Sequence, residues 1–404
     1  MKNQITKITA EEIQDSKGNP TVRVVVFVDD ASGSFSVPSG ASTGVHEAHE
    51  LRDSDGGVRK AIENVEKIIA PVLLGKNVFN QKEIDEIMIK LDGTVNKDNL
   101  GGNSMVGVSV ACAKVAAEIK GIEVFEYLRT LAKIKPSRQF PHLFMNLLEG
   151  GKHTSNILAF QEYHIVPNTE NISEAVDIGI KIQNTLQEII LKDLGEESVM
   201  LGDEGGFALK ISDIRTPLVF LAEAIKKNNL DKKVKLALDV AASSFYENGV
   251  YKIAGKNVSK EELMNLYESL TAEFNIFSIE DPFDEEDFES FAELKDKNKK
   301  LLIVGDDLTV SNSKLLKKAI EKNSINAMLI KPNQIGTLTE TLETMKLARE
   351  NDIEIIVSHR GEETNDDFIA DLAFAFGCFG LKAGSPQKPE RMIKYNRLIE
   401  ISKI

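Results

Sequence analysis

The sequence has few cysteines, no long hydrophobic run and a shortage of positive charge, and each deficit excludes a class of protein. Cys112 and Cys378 are too few for a disulfide framework and stand at no metal-ligand spacing, so we expect both to be reduced and buried. No apolar run approaches the roughly 18 residues of a membrane span, and the first residues are too polar for a secretory signal. These features indicate a cytoplasmic protein with no membrane partner.

The formal net charge of -14 argues against a nucleic-acid partner, because a phosphate backbone binds to concentrated positive charge. The one notable basic run, Lys295–Lys300, is typical of a solvated helix end. An acidic protein can nevertheless bind a small anion if metal ions bridge the two.

The length and the order of patterns indicate two domains, since 404 residues are too many for one ordinary domain. The segment up to about residue 37 predicts a β-meander with a strand over Thr21–Val28, and helical periodicity follows. We predict a small α+β domain over residues 1–133 and a second domain over residues 134–404. The boundary is placed where periodicity is lost, near Ala132–Pro141.

A loop of small residues, Val37–Gly44, follows the predicted meander. It lacks the Gly-Lys-Ser/Thr ending of a nucleotide phosphate loop. It is either a plain connection or a mobile lid, since small residues lower the cost of large backbone movement.

The second domain alternates predicted strands and helices, which favours an α/β fold closed into a (β/α) barrel of the TIM type. An open doubly wound sheet is the alternative. No glycine-rich dinucleotide fingerprint follows any of the predicted strands, which weakens that alternative.

Ionisable residues follow nearly every predicted strand of this domain. In chain order they are Glu204 after a strand over Val199–Leu201, then Asp239, Glu280, Asp306, Lys331, His359 with Arg360, and Lys382. Any one of them could cap a helix or be solvated. The ends of barrel strands, however, meet at the carboxyl mouth, where barrel enzymes place their chemistry. The series therefore predicts an active site.

The residue types in this series indicate metal-assisted chemistry on an anion. Asp239, Glu280 and Asp306 would crowd three carboxylates together, and all-oxygen ligands select a hard ion such as Mg²⁺. A lysine opposite such a site suits removal of a proton from the carbon next to a substrate carboxylate. Lys331 would have to be neutral for this, and we expect nearby cations to lower its pKa.

Nine motifs in order resemble the enolase family over essentially the full length of the chain. They are GNPTV (18–22), SGASTG (39–44), EAHELRD (47–53), LAFQE (158–162), GDEGGFA (202–208), SIEDPF (278–283), GDDLTV (305–310), NQIGTLTET (333–341) and VSHR (357–360). The resemblance implies an N-terminal α+β domain before a barrel whose second strand is antiparallel. It also implies the Mg²⁺-dependent interconversion of 2-phosphoglycerate and phosphoenolpyruvate in a homo-oligomer, either a dimer or an octamer.

The resemblance assigns roles residue by residue. It makes Lys331 the base at carbon 2 and Glu204 the acid that assists departure of the hydroxyl, with Glu162 and His359 beside them in the catalytic group. The implied metal ligands are Asp239, Glu280 and Asp306 for one Mg²⁺ and Ser39 for a second. The implied substrate contacts are Lys382 to the carboxylate, Arg360 with Gly361 at the phosphate, and His153 and Gln161.

Several residues depart from the family pattern close to these positions. Gly361 stands where the family has a serine that binds phosphate, and Glu362 adds negative charge beside it. The other departures are Glu149 for asparagine, Thr154 for alanine, Leu209 for proline and Pro332 for an apolar residue. They leave open a dehydratase or epimerase for a different carboxylate substrate. A non-enzymatic scaffold is a third reading, which the complete catalytic set argues against.

Overall fold

The computed structural model describes residues 3–40, 44–154 and 157–404. The N-terminal part begins with an antiparallel sheet of β1 (Lys7–Gln14), β2 (Pro20–Val28) and β3 (Ala31–Ser36), in that spatial order. The predicted meander is therefore confirmed. The centre of the small-residue loop, residues 41–43, lies outside the described residues, so a plain connection and a mobile lid both stay predictions.

Five helices follow this sheet in the described part of the domain. They are α1 (Arg59–Glu63), which continues through a π-helical turn (Asn64–Ile69) into α2 (Ala70–Leu73), then α3 (Gln81–Asp92), α4 (Gly102–Lys120) and α5 (Val124–Leu131). Of these, α4 packs across β2 and β3. Nearly every residue of α4 is buried because it lies between the sheet and the second domain. Cys112, on this helix, is a free thiol in the core, and Cys378 is likewise free and buried, as predicted.

The remainder of the chain forms a closed eight-stranded barrel. In spatial order its strands are β4 (His142–Glu149), β5 (Glu162–Pro167), β7 (Val234–Asp239), β11 (Ile276–Glu280), β12 (Leu302–Gly305), β13 (Ala327–Ile330), β14 (Glu354–Ser358) and β15 (Gly380–Lys382), which pairs again with β4. The prediction of a closed barrel is confirmed, and the open sheet is excluded.

Helices surround the barrel between its strands. They are α6 (Ile172–Leu194), α7 (Thr216–Lys227), α8 (Lys260–Phe274), α9 (Phe288–Lys297), α10 (Ser313–Glu321), α11 (Pro332–Ile335), α12 (Leu338–Glu350), α13 (Phe368–Ala375) and α14 (Pro389–Ile401). Short 3₁₀ turns occur at Gly151–His153, Glu196–Ser198 and Ala242–Phe245. A small sheet of β8 (Tyr246–Glu247), β9 (Val250–Ile253) and β10 (Lys256–Val258) interrupts the connection between β7 and α8.

One barrel strand runs against the others. β5 is antiparallel to both of its neighbours, β4 and β7, whereas the remaining pairs around the barrel are parallel. This confirms the direction that the family resemblance implies. The start of β5, not its end, therefore lies at the carboxyl mouth, and this places Glu162 in register with Asp239.

The prediction of a strand over Val199–Leu201 is wrong. Leu201 forms only an isolated bridge to Phe207, and the strand in this region is the two-residue β6 (Phe207–Ala208), which pairs with the end of β4. Met200 and Leu201 are 66% and 40% exposed, so this apolar triplet is not a core strand. Glu204 consequently lies on a loop above the barrel mouth and does not end a barrel strand.

The first domain is joined to the barrel mouth by buried hydrogen bonds. Asp85 of α3 accepts hydrogen bonds from the backbone and hydroxyl of Thr339, and Ser109 of α4 accepts one from the backbone of Leu338. The two domains thus meet at the start of α12. Within the described residues, none of the helices is long and apolar enough to cross a membrane.

Candidate active site at the barrel mouth

Lys331 lies at the point where β13 ends and α11 begins. Its Nζ forms an ion pair with Asp306 at the end of β12, and the other oxygen of Asp306 accepts a 3.0 Å hydrogen bond from Gln334. Pro332 occupies the first position of α11. A missing N–H is tolerated there because that donor has no partner within the helix. This departure from the family pattern thus has a structural reason.

The ion pair with Asp306 overturns the expected direction of the Lys331 pKa. Burial and the cations Arg360 and Lys382 lower this pKa, as the sequence predicted, but Asp306 outweighs them and raises it above its usual value. Lys331 is therefore charged while Asp306 is its partner.

Lys382, the last residue of β15, contacts three carboxylates. Its Nζ lies 2.9 Å from Asp239, 2.9 Å from Glu280 and 3.2 Å from Glu162. Burial alone would lower the pKa of this lysine, but its carboxylate partners raise it well above the usual value. Asp239 also accepts a 3.3 Å hydrogen bond from Gln161. Three carboxylates thus share one cation, and burial together with the charge of Asp239 raises the pKa of Glu280 well above its usual value.

Two buried glutamates, Glu162 and Glu204, face each other across His153. The Nδ1 atom of His153 lies 3.8 Å from Glu162 and 3.7 Å from Glu204. Burial, together with the charge of Glu204, raises the pKa of Glu162 well above its usual value. Nε2 of His164 lies 2.7 Å from Oε2 of Glu162, the carboxylate oxygen that does not face His153. A buried pair of this kind can hold a proton at neutral pH.

His359 completes the environment of Glu204. Its Nε2 atom lies 3.1 Å from Glu204 Oε2, which also accepts a 3.2 Å hydrogen bond from Asn146. Arg391 donates to Nδ1 of His359 at 2.6 Å. An arginine has donors only, so Nδ1 is the acceptor and Nε2 carries the proton. Burial lowers the pKa of His359 to about 4, which makes this imidazole neutral near pH 7.

Arg360 forms the positive side of the mouth. Both terminal nitrogens of its guanidinium bind Glu47 of the first domain at 2.9 Å, and one also binds Asn333 at 3.2 Å. The carbonyl of Gly361 accepts a hydrogen bond from the buried Arg391. Arg360 and Gly361 both line the cavity at the mouth, and their role at a phosphate stays a prediction.

The Glu362 side chain points away from the mouth. Its carboxylate lies 3.5 Å from Lys17 and 3.4 Å from Asn19, both on the β1–β2 turn. The backbone of Glu362 forms two hydrogen bonds with Ser39, of 2.8 Å and 3.0 Å. The charge of Glu362 is therefore compensated by Lys17 and does not face Arg360.

Ser39 has no contact with the three predicted ligands of the first Mg²⁺. Its hydroxyl donates to Glu50 at 2.7 Å and accepts from Arg52 at 3.0 Å. The neighbouring residues 41–43 lie outside the described part of the chain. The role of Ser39 as a second metal ligand therefore stays a prediction.

The predicted site residues other than Ser39, Glu280 and Asp306 line one small cavity of about 20 Å³, together with Ser358. It is lined by His153, Gln161, Glu162, Glu204, Asp239, Lys331, Ser358, His359, Arg360, Gly361 and Lys382. A volume of this size holds about one water molecule. A substrate with a carboxylate and a phosphate enters only if the ion pairs that fill the mouth separate.

The donor set at this mouth fits a hard divalent cation. Asp239, Glu280 and Asp306 end three consecutive barrel strands and offer only oxygen ligands. The side-chain oxygen of Gln161 is buried and has no hydrogen-bond partner in the described structure.

Among the described residues, the groups whose ligand atoms lie within 4.8 Å of one another are His153 with Glu162 and Glu204, and Asp281 with Asp306 and Asp307. The three predicted ligands do not form such a group, since Lys382 and Lys331 pair with their carboxylates. Asp281 accepts the backbone N–H groups of Asp306 and Asp307, which assigns it to holding this turn.

Sequence reasoning assigned no role to several residues that hold the site. They are Glu47 and Glu50 from the first domain, Asn146 inside the barrel, and Arg391 on α14. Glu47 and Glu50 lie within the motif EAHELRD, so a signal was present, although the motif does not reveal what they contact. Arg391 is fully buried, and an arginine in a helical pattern gives no sign of this.

Comparison with known proteins agrees with this arrangement. The family described as "Enolase, N-terminal domain" matches residues 5–128, and the family described as "Enolase, C-terminal TIM barrel domain" matches residues 137–403. The enolase of Methanocaldococcus jannaschii is 46% identical over 405 residues, which cover 98% of this chain and 95% of that one. The enolases of Methanopyrus kandleri and Methanosarcina barkeri are 45% and 46% identical, over 98% of this chain and 95% and 94% of theirs. The chain therefore belongs to the enolase family.

Proposed function

We propose that this protein catalyses the Mg²⁺-dependent, reversible dehydration of 2-phosphoglycerate to phosphoenolpyruvate. It is then a carbon–oxygen lyase, a phosphopyruvate hydratase of glycolysis and gluconeogenesis. The observation that carries the proposal is that Lys331 and Glu204 line the same buried cavity as Arg360 and Lys382. A base and an acid thus meet beside two cations that suit an anionic substrate.

The roles within this site follow from the chemistry of each group. We assign Lys331 as the base that takes the proton from carbon 2, and Glu204, with Glu162 beside it, as the acid that protonates the departing hydroxyl. The Nε2 atom of His359 lies 3.1 Å from a carboxylate oxygen of Glu204, so this imidazole borders the assigned acid. A bound Mg²⁺ supplies positive charge that stabilises the negative charge developed when the proton is removed.

Substrate binding is assigned to the cations and to their neighbours. Lys382 would take the substrate carboxylate, and Arg360 with Gly361 the phosphate, while His153 and Gln161 line the remaining wall. Lys382 and Arg360 now form ion pairs with carboxylates of the protein, Glu280 and Glu47. Substrate binding therefore breaks these ion pairs and puts the carboxylate and phosphate of the substrate in their place. Freed from Lys382, Asp239 and Glu280 become available as ligands of a metal ion together with Asp306.

Other parts of the proposal rest on family membership. They are two Mg²⁺ ions per site, with Ser39 a ligand of the second, and a homo-oligomer. The proposed location in the cytoplasm and the domain limits of 1–133 and 134–404 rest instead on the composition and periodicity of the sequence. The sequence departures near the phosphate site motivate one alternative, a related dehydratase or epimerase for another carboxylate. Gly361 still supports that alternative because it offers no hydroxyl, whereas the charge of Glu362 does not, since it is directed to Lys17.

A two-step assay tests the proposal. The purified protein is mixed with 2-phosphoglycerate and Mg²⁺ in deuterated water, and both phosphoenolpyruvate formation and deuterium uptake at carbon 2 are followed. We expect Lys331→Ala to lose both activities, and Glu204→Gln to lose phosphoenolpyruvate formation while it retains deuterium uptake. Lys322→Ala, which changes an exposed lysine paired with Glu289, is the control.

Two results would contradict the proposal. One is wild-type protein that forms no more phosphoenolpyruvate than Lys331→Ala. The other is a panel of phosphorylated and unphosphorylated 2-substituted acids in which a different acid gives the highest kcat/KM, which would establish the alternative function.

A further inference from the structure

The Nζ atom of Lys17 lies between two carboxylates that belong to different loops at the barrel mouth. It is 2.6 Å from Oδ2 of Asp203 and 3.5 Å from Oε1 of Glu362. These two acids are the chain neighbours of Glu204 and Gly361, which both line the catalytic cavity. One cation of the first domain thus contacts the loop of the assigned acid and the loop of the assigned phosphate site.

The loop that carries Glu204 is held in place without Lys17. The carboxylate of Glu149, at the end of β4, accepts the backbone N–H of Glu204 at 3.1 Å. From the outer side, Lys388 donates to the carbonyl of Asp203 at 3.1 Å. The backbone of this loop is therefore fixed by groups of the barrel itself.

The backbone beside the phosphate site is also held by other contacts. Glu362 forms two backbone hydrogen bonds with Ser39, and the backbone N–H of Ser16 donates to the carbonyl of Glu363 at 2.7 Å. The hydroxyl of Ser16 accepts the backbone N–H of Glu363 at 3.1 Å. What Lys17 contributes to both loops is therefore mainly positive charge.

The charges of this group do not balance. Burial lowers the pKa of Lys17, but Asp203 and Glu362 outweigh burial and raise it above its usual value, so the amine is charged at neutral pH. Burial raises the pKa of Glu362, and Lys17 opposes that rise. With all three side chains ionised the group carries one excess negative charge, and without Lys17 it would carry two. The side chains are only 17% to 28% exposed, so solvent screens this charge incompletely.

We propose that Lys17 is a positioning residue for the substrate phosphate: it keeps the carboxylates of Asp203 and Glu362 paired, so that their charge does not repel the phosphate. The proposal rests on the proposed function, which assigns the phosphate to Arg360 and Gly361. A phosphate monoester carries a charge of about −1.5 to −2 near pH 7, so its binding responds strongly to an added charge of the same sign. Glu362 departs from the family pattern, so the third charge of the group is a property of this chain.

The test measures KM and kcat for 2-phosphoglycerate in wild type and Lys17→Met, at pH 8 to keep Glu362 ionised. We expect KM to rise about fivefold in the variant, because one further uncompensated negative charge remains beside the phosphate site. We expect kcat to change by less than about twofold, since Lys17 contacts neither Lys331 nor Glu204 in the described structure. At about 0.5 M salt the ratio of the two KM values should fall towards one, because ions screen partly exposed charges.

A second substitution separates charge from structure. Lys17→Met combined with Glu362→Gln carries the same excess charge as wild type, so its KM should return to within about twofold of the wild-type value. Lys17→Gln keeps a hydrogen-bond donor and loses the charge, and it should show the same rise in KM as Lys17→Met. It also serves if Lys17→Met does not fold.

Two controls retain the charge at the mouth. Lys17→Arg keeps the positive charge and should retain the wild-type KM. Lys76→Met removes a lysine of the same domain that pairs with Glu83 at 2.9 Å and, within the described residues, contacts neither loop. This change should leave KM and kcat unchanged.

The outcomes are distinct. Wild-type activity with an unchanged KM in Lys17→Met and Lys17→Gln overturns the proposal and leaves the proposed function standing. A raised KM that Glu362→Gln does not reverse also overturns the proposal, because that result marks a structural defect. If wild-type protein neither exchanges deuterium into 2-phosphoglycerate nor dehydrates it, the proposed function fails first, and the role of Lys17 fails with it.

Discussion

Arg391 donates a 2.6 Å hydrogen bond to Nδ1 of His359, and both side chains are buried. The same guanidinium binds the carbonyls of Arg360 and Gly361, at 2.6 Å and 2.7 Å. One residue of α14 thus fixes both the tautomer of the histidine beside Glu204 and the backbone of the proposed phosphate site. Because an arginine cannot accept a hydrogen bond, the tautomer is not free to change.

The tautomer of His359 should be visible by nitrogen NMR. In protein labelled with ¹⁵N at histidine, we expect His359 to show a protonated Nε2 and an unprotonated Nδ1 at pH 7, and Arg391→Met to lose this preference and lower kcat. Arg397→Met is the control, because Arg397 lies on the same helix but pairs with Asp371 and Glu123. An unchanged His359 spectrum in Arg391→Met would show that Arg391 does not set the tautomer.

Lys382 should compete with Mg²⁺ for the same carboxylates. Its Nζ contacts Asp239 and Glu280 at 2.9 Å, so a cation must enter against an existing positive charge. We expect Lys382→Met to bind Mg²⁺ about tenfold more tightly in the absence of substrate, since like charges at this range repel strongly, and to lose turnover.

Calorimetric titration with Mg²⁺ measures that difference. Lys97→Met is the control, because Lys97 is also buried and paired, with Glu340 at 2.9 Å, but does not line the cavity. Equal or weaker Mg²⁺ binding by Lys382→Met would mean that these carboxylates are not the ligands.

Restoring the family serine at position 361 should strengthen phosphate binding. A hydrogen bond to a charged group contributes about 1.5–3 kcal/mol, so we expect Gly361→Ser to lower KM for 2-phosphoglycerate by about tenfold or more. Glu362→Gln should change KM by less than about twofold, because the Glu362 carboxylate faces Lys17. A large effect of Glu362→Gln on KM with no effect of Gly361→Ser would reverse this interpretation of the phosphate site.

Asp85 should make stability depend on pH at the contact between the domains. Burial raises its pKa to about 6 from 3.8. Because the pKa of Asp85 is higher in the folded than in the unfolded protein, Asp85 adds to the free energy of unfolding below about pH 4. This contribution is lost as the pH rises through about 6. The loss is about 3 kcal/mol for about two pKa units.

Urea unfolding of wild-type protein and Asp85→Asn at several pH values between 4 and 7 measures this dependence. The variant should lack the loss, because an asparagine side chain at position 85 carries no titrating proton. Asp98→Asn, at an exposed position of the same domain, should retain the wild-type dependence. Parallel curves for wild type and Asp85→Asn would refute the prediction.

The barrel was predictable because its strands and helices differ clearly in period and length. The sequence pattern predicts a strand over Ala327–Ile330 and a helix over Lys260–Phe274, and β13 and α8 span the same residues. The strand before Glu204 was predicted wrongly because three apolar residues, Val199–Leu201, carry too little pattern to separate a core strand from a loop with exposed side chains. The pairing of β6 with β4 depends instead on Glu149, a contact from 55 residues away.

The site residues were predictable as a set, but their partners were not. Residues at the ends of parallel strands meet at one mouth, and Asp239, Glu280 and Asp306 stand there at the ends of three neighbouring strands. Asp239 and Glu280 pair with Lys382, and Asp306 pairs with Lys331. The contacts of Arg360 with Glu47 and of Ser39 with Glu50 join separate parts of the chain through single side chains. No periodicity marks such contacts, so only the folded structure shows them.

The reversed direction of β5 bears on how the barrel assembles. β5 pairs with β4 across a connection of 12 residues, 150–161. Consecutive parallel strands, in contrast, can pair only after the helix between them has been synthesised. Closing a short loop costs less chain entropy than closing a long one. The first barrel pair able to form during synthesis is therefore the one that carries His153 and Glu162, and one wall of the cavity is set before the strands that supply Lys331 and Lys382 have been made.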